Sequence, residues 1–299
     1  SASEVAAAAG LRRLAGSDLN SGLFGVQIMH APVLQGPSKA SMSSVPAVVD
    51  SGSANTILNW PAAELLLGLR KDDRIVSDAP RIRAVGVGGG QVEMPLLTLS
   101  IGLLGGEVGD ENSLVHPKPV RVAIGDVSIF SDIVGREDKG SWPFGLGPRS
   151  LKPAALIGQD ILSQQQYILS ASEPALYITP DSSLPRRHLE FIGQGDCLDQ
   201  EGRRLRGLQK LACTPDDAAQ TCLELPAGAC QGVAVTPLQS KRFQGLCYIF
   251  VADEEVKTLE DRGWKAYGAP EGQELAPQGT SVASANGDPD AECYSWRDR

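Results

Sequence analysis

Two stretches of this chain have residue types and spacing that could do chemistry. The first is Val48-Val49-Asp50-Ser51-Gly52-Ser53-Ala54, an apolar run ending in an acid, a hydroxyl residue and a glycine. A carboxylate used for general acid/base work must sit at a fixed, partly desolvated point, and a strand end provides one. Glycine beside it lets two backbones, and so two carboxylates, come close. Taken alone, Asp-Ser-Gly is also a common turn. The second stretch is Ala155-Leu156-Ile157-Gly158-Gln159-Asp160-Ile161-Leu162, about a hundred residues on. It reads as a buried strand entering a close-packed glycine turn before a helix, a pattern shared by many strand-to-helix connections.

Other chemistries have less to stand on. Gly86 to Gly90 would suit a phosphate cradle, but no Lys-Ser/Thr follows it. Serine, histidine and aspartate are present without a G-x-S-x-G elbow. There is no C-x-x-C pair, and His30, His116 and His188 lie outside the cysteine cluster, so neither a metal site nor a cofactor is expected.

The elements that must position these residues are strands joined by turns. Leu23 to Met29, Val45 to Val49 and Ile57–Leu58 are β-rich. Asn59 can cap a helix running through Pro61 to Leu67, with proline in its first turn. Arg81 to Val87 and Gln91 to Ile101 read as strands of a hairpin whose tip is Gly88-Gly89-Gly90. Residues 105–119 form a polar, acidic insertion, and Val120 to Val134 reads as strands. Trp142 to Pro153 should be irregular, Ile161 to Gln166 a short helix, and Tyr167–Ser170 and Ala175–Thr179 strands. After Gly193 the chain turns to charged turns, cysteines and one helix near Pro215–Leu225.

Composition narrows the partners. The 299 residues carry a net charge of −9, and the bases form no block, so nucleic acid and anionic membranes are poor partners. Residues 252–299 hold eleven acids against five bases and read as an acidic, solvated tail. No apolar run approaches a membrane span; Leu96 to Leu104 is short and contains Thr98, Ser100 and Gly102. Ser1 to Ala9, small and Ala-rich, resembles sequence just after a removed targeting peptide, although an arbitrary chain boundary would look the same.

All six cysteines follow residue 190: Cys197, Cys213, Cys222, Cys230, Cys247 and Cys293. An even number confined to one segment predicts a disulfide framework and an oxidising compartment, secretory, extracellular or lumenal. At least two disulfides are expected, one of them Cys222–Cys230, whose spacing fits a helix-to-strand staple. Six reduced thiols are the alternative.

Together, Val48 to Ser53, Val85 to Met94 and Leu156 to Ser163 occur in the order that resembles the retropepsin-like, single-lobe aspartic proteases. The likeness covers about residues 20–180. Phe144-Gly145-Leu146-Gly147 is similar, less specifically, to a segment of two-lobed pepsin-like enzymes. The resemblance implies a closed β-barrel lobe with Asp50 as the catalytic acid/base. It implies that Ser51 bonds within or across the aspartate pair and that Gly52 permits their approach. Val87, Gly88, Gly89 and Gly90 would form a flap over substrate, and Leu156, Ile157 and Gly158 the structural glycine turn. No second Asp-(Ser/Thr)-Gly exists in the chain, so an active enzyme would be a homodimer sharing two Asp50 carboxylates and cleaving a peptide or protein.

The cysteine segment resembles a PAN/apple-type module, of a kind abundant in alveolate algae. The resemblance rests on Thr221-Cys222, Gly228-Ala229-Cys230-Gln231-Gly232 and Leu246-Cys247-Tyr248-Ile249, although Ala218 stands where that pattern places a further cysteine. Such modules bind protein or carbohydrate; a disulfide-stapled appendage is the plainer reading. The fold expected is therefore mainly β: a retropepsin-like lobe followed by a small disulfide-rich α+β module. The divisions are an extension at 1–19, the protease domain at 20–180, a linker at 181–192 and the module at 193–299. Against the endopeptidase stands a non-catalytic protease-fold subunit of a larger lumenal or secreted assembly, such as an algal photosynthetic complex in the thylakoid lumen. A secreted lectin-like protein is a third reading.

Overall fold

The computed structural model describes residues 5–6, 8–9, 12–14, 16–17, 25–30, 43–85, 91–104, 114–115, 119–138, 149–164, 166–170, 175–179, 187–236, 245–267 and 274–298. The chain divides into two compact units. The first is Ser1–Ala31, Ala40–Lys71 and Ala79–Ser182; the second is Pro32–Lys39, Asp72–Asp78 and Ser183–Arg299.

In the first unit, ten strands form one sheet among the described residues. Its order is Arg81–Val85, Gln91–Leu99, Val120–Ile124, Ile57–Leu58, Ala155–Ile157, Val45–Val49, Gly25–His30, Ile101–Leu104 and Leu114–Val115, with Gly16–Ser17 also paired to Gly25–His30. Two pairings are parallel: Ala155–Ile157 on Val45–Val49, and Val120–Ile124 on Ile57–Leu58. The strand Ala155–Ile157 thus lies between two strands that follow each other closely in sequence.

The sheet is an open path among the described residues, not the closed barrel expected from the sequence. A barrel needs its two end strands to pair. The end strand Arg81–Val85 instead exposes Arg81 and Arg83, charges of the kind that keep a sheet edge in water.

Val45, Ala47 and Val48 are buried because the strand carries sheet on both sides. One core cluster gathers Val48, Ile57, Met94, Phe130, Ile133 and Leu156. Fully burying such a side chain contributes roughly 1.5–3 kcal/mol before conformational entropy is subtracted. The helix Trp60–Leu67 starts where expected: the Asn59 side chain accepts the Ala62 N–H, and Gly68 ends the helix at φ 68°.

Val120 to Val134 is not all strand. It is the strand Val120–Ile124 followed by a helix, Ile129–Val134, that buries Phe130, Ile133 and Val134 at helical spacing. Arg149–Leu151, expected to be irregular, pairs with Arg136–Asp138. Tyr167–Ser170 and Ala175–Ile178 form a small antiparallel sheet with Arg12–Arg13.

The second unit is built on a six-stranded antiparallel sheet. Its order is Arg187–Gln194, Glu292–Asp298, Cys230–Val235, Leu246–Val251, Leu208–Leu211 and Lys265–Ala266. Strand alternation sends Val233 and Val235 to one core, with the helices Pro215–Glu224 and Asp253–Asp261, and Ala234 to another with Cys197, Val282 and Cys293. Residues 187–192, read from sequence as linker, belong to a sheet strand. Glu292–Asp298, counted into an acidic tail, is an inner strand with Cys293 and Tyr294 buried.

Three nested disulfides pin this unit: Cys197–Cys293, Cys213–Cys247 and Cys222–Cys230. The last staples the helix Pro215–Glu224 to the strand Cys230–Val235, as the spacing predicted. No described helix is long and apolar enough to cross a membrane.

Candidate active site

Asp50 is the first residue beyond the strand Val45–Val49. Its N–H donates to the Ile157 carbonyl at 3.0 Å, extending the parallel pairing by one residue. The side chain is half-buried, whereas Ser51 and Gly52 are exposed. Asp50 Oδ1 accepts the Gly52 N–H at 2.8 Å, and the Asp50 carbonyl accepts the Ser53 N–H at 3.2 Å. Such a tight turn aims one carboxylate oxygen at its own loop. A Cβ added to Gly52 would stand 3.2 Å from that oxygen.

The second stretch braces the first. Leu156 and Ile157 are buried, and a Cβ at Gly158 would come within 2.5–2.9 Å of the Asn55 backbone, too close for any side chain. The short helix Gln159–Leu162 draws its N-terminal partners from the Asp50 loop. Gln159 N–H donates to Ser53 O at 2.8 Å and Asp160 N–H to Ala54 O at 3.3 Å. The Gln159 amide also donates to Ser51 O at 2.9 Å.

Thr56 and Asp160 complete the brace, although the sequence reading singled out neither. Thr56 N–H and its hydroxyl donate to the two oxygens of Asp160, each at 2.7 Å. The same hydroxyl accepts the Gly158 N–H at 3.1 Å. A buried backbone donor, a hydroxyl and a carboxylate therefore form one chain of bonds between segments 104 residues apart. The available signal was position: a threonine six residues after Asp50 and an acid two residues after Gly158, both at the mouths of apolar runs.

The structure brings Asp50, Ser51 and Gly52 against Ile157 and Gly158. The hairpin meant to carry the flap is paired from Arg81↔Pro95 to Val85↔Gln91. Val87, Gly88, Gly89 and Gly90 lie outside the described residues, as do 144–147 and most of 105–119. The six cysteines belong to the second unit and form its disulfides. No His/Cys/Asp/Glu group able to hold a metal occurs among the described residues.

No protein-family model and no curated protein matches the chain. Among solved structures, it is similar to the crystal structure of the retroviral protease-like domain of Ddi1 from Leishmania major, at 20% sequence identity. That alignment covers 54% of this chain and 90% of that one, with a TM-score of 0.29.

Proposed function

We propose that the first unit is an aspartic endopeptidase of the retropepsin-like type, active as a homodimer in which each chain supplies Asp50. The observation that carries this reading is the fixed Asp50 loop, held between the end of Val45–Val49 and the Gly158 turn with its carboxylate half-exposed. Two such carboxylates brought face to face cannot both ionise, so they share one proton. The charged member takes a proton from water as the water attacks the peptide carbonyl; the protonated member polarises that carbonyl. Collapse of the tetrahedral adduct breaks the C–N bond, and the amine leaves with a proton. Ser51 would bond within or across the pair, Gly52 would permit the approach, and Val87 to Gly90 would close over the peptide.

The test is hydrolysis of a peptide library by the purified chain. Asp50→Asn should abolish cleavage, pepstatin-like inhibitors should compete, and chelators should have no effect. Cleavage that survives in Asp50→Asn removes Asp50 as the catalyst.

A second reading has its own support: the chain contains a single Asp-Ser-Gly. A monomer therefore lacks the dyad, and a chain that never self-associates would be a protease-fold subunit of a larger assembly, with the disulfide-rich unit as a PAN/apple-like recognition module. Sedimentation separates the two readings. Under either, three disulfides favour an oxidising, secreted or lumenal compartment.

A further inference from the structure

The second unit contains a cavity of about 490 Å³ lined by Leu198, Gly202, Arg203, Arg204, Glu274, Asn286 and Gly287. It has the volume of a small-molecule site but not the usual apolar lining, since Leu198 is its one large apolar residue. An apolar ligand would leave these polar groups without water or a partner.

Both arginines are held in place. Arg203 Nε and Nη2 each lie 2.8 Å from Asp199 Oδ2. Asp199 is itself buried, and its other oxygen accepts the N–H groups of Glu201 at 3.0 Å and Arg203 at 2.8 Å. Arg204 pairs with Asp196 and donates from Nη1 to the Tyr267 hydroxyl at 3.3 Å. The Tyr267 ring packs edge-on against Tyr248, with centroids 5.1 Å apart.

Charge decides which polar ligand fits. Each guanidinium already has a carboxylate partner, and Glu201, Glu274 and Asp288 add negative charge close by. A phosphate or sulfate would meet no surplus positive charge. A neutral hydroxyl group both donates and accepts, so it can use guanidinium N–H groups, carboxylate oxygens and the Asn286 amide together. Gly202 leaves room, since a Cβ there would have nothing within 4 Å. Gly287, at φ 106°, brings backbone to within reach of Asp196 and Arg204 where a side chain would be strained.

We propose that this cavity binds a neutral, polyhydroxylated ligand, a sugar ring, through Arg203, Arg204, Glu274 and Asn286. The site is independent of the Asp50 chemistry. The full ¹⁵N-labelled chain, disulfides intact, would be titrated with glucose, galactose, mannose and N-acetylglucosamine, and separately with sulfate and glucuronate. Side-chain N–H signals of Arg203, Arg204 and Asn286 provide the readout. At least one neutral sugar should shift them saturably with a Kd of roughly millimolar order. Glu274→Gln and Asn286→Ala, both at exposed positions, should each weaken binding about tenfold while the backbone spectrum stays native. Asp50→Asn should bind as the parent does. No saturable shift with any neutral sugar, tighter binding of sulfate or glucuronate, or binding indifferent to both cavity variants overturns the proposal.

Discussion

Asp160 and Thr56 show how much the Asp50 loop depends on groups that would never touch a substrate. Replacing Thr56 with Val removes the donor to Asp160 and the acceptor for the Gly158 N–H together. Losing such buried bonds costs about 1–3 kcal/mol, so chemical denaturation of Thr56→Val should show a loss of that size. Gly158→Ala should be at least as damaging, because its Cβ meets backbone, which cannot swing aside as a flexible side chain would. An unchanged denaturation midpoint in Gly158→Ala would mean that Asn55 and Gly158 are not packed as described.

Asp199 gives a residue-scale prediction in pH. Burial pushes its carboxyl up, but the Arg203 N–H and guanidinium outweigh that and hold it below the ordinary carboxylate range. A depressed folded pKa contributes stability that is present above the unfolded value, about 3.9, and is lost as pH falls through the folded value. Asp196 has the opposite sign: burial raises its pKa despite Arg204, so it costs stability as pH rises from about 3.9 through its folded value. Asp199→Asn should therefore flatten the fall in stability below about pH 4, measured by denaturant midpoints across the acid range. An acid limb as steep as the parent's would rule Asp199 out as its source.

Among the elements, those with local causes were legible in the sequence. Asn59, Pro61 and the leucines after them announced the helix Trp60–Leu67. The sequence did not show that Asn59 also accepts the Ala154 N–H at 3.0 Å and donates to Lys152 O at 2.7 Å, because those partners are over ninety residues away. Asn59→Ala thus removes a cap worth about 1 kcal/mol and two buried cross-chain bonds besides. A loss of roughly 2–4 kcal/mol in urea or thermal unfolding is expected; a loss confined to the cap value would show the cross-chain bonds to be idle.

Elsewhere, one feature masked another. Ile129, Phe130, Ile133 and Val134 are strand formers by type, and only their spacing of three and four marks a helix. The charge total over 252–299 averaged an inner strand with its acidic surroundings, so Cys293 and Tyr294 looked solvated. The Asp50 loop and the Gly158 turn were each legible as apolar runs ending at glycine. Their parallel register was not, since pairing across a hundred residues leaves no local trace.

For the whole molecule, the nested disulfides set an order of importance. In the chain-entropy picture, Cys222–Cys230 closes a short loop worth about 2.6 kcal/mol, and Cys197–Cys293 a long one worth about 4.7 kcal/mol. Replacing both members of the outer pair by Ala should destabilise the second unit by roughly 2 kcal/mol more than replacing the inner pair. Denaturant unfolding of the two double variants checks this, and equal losses would contradict it. Mass spectrometry of unreduced peptides should recover the three pairings directly. At the same scale, sedimentation of the intact chain should show a dimer wherever peptide cleavage is seen, with both lost together on dilution.

The strand Ala155–Ile157 has a consequence for how the chain is made. As the ribosome releases the protein, Val45–Val49 and Ile57–Leu58 emerge early, with the place between them unfilled. They must wait for about a hundred more residues before their missing neighbour exists. Until then the Asp50 loop lacks its floor, so a truncated or nascent chain carries the motif without the machinery. Two apolar strand edges stay open in the same interval, inviting the wrong partner. A peptidase assembled this way is inert while it is being synthesised, and its most vulnerable moment comes before it can cut anything.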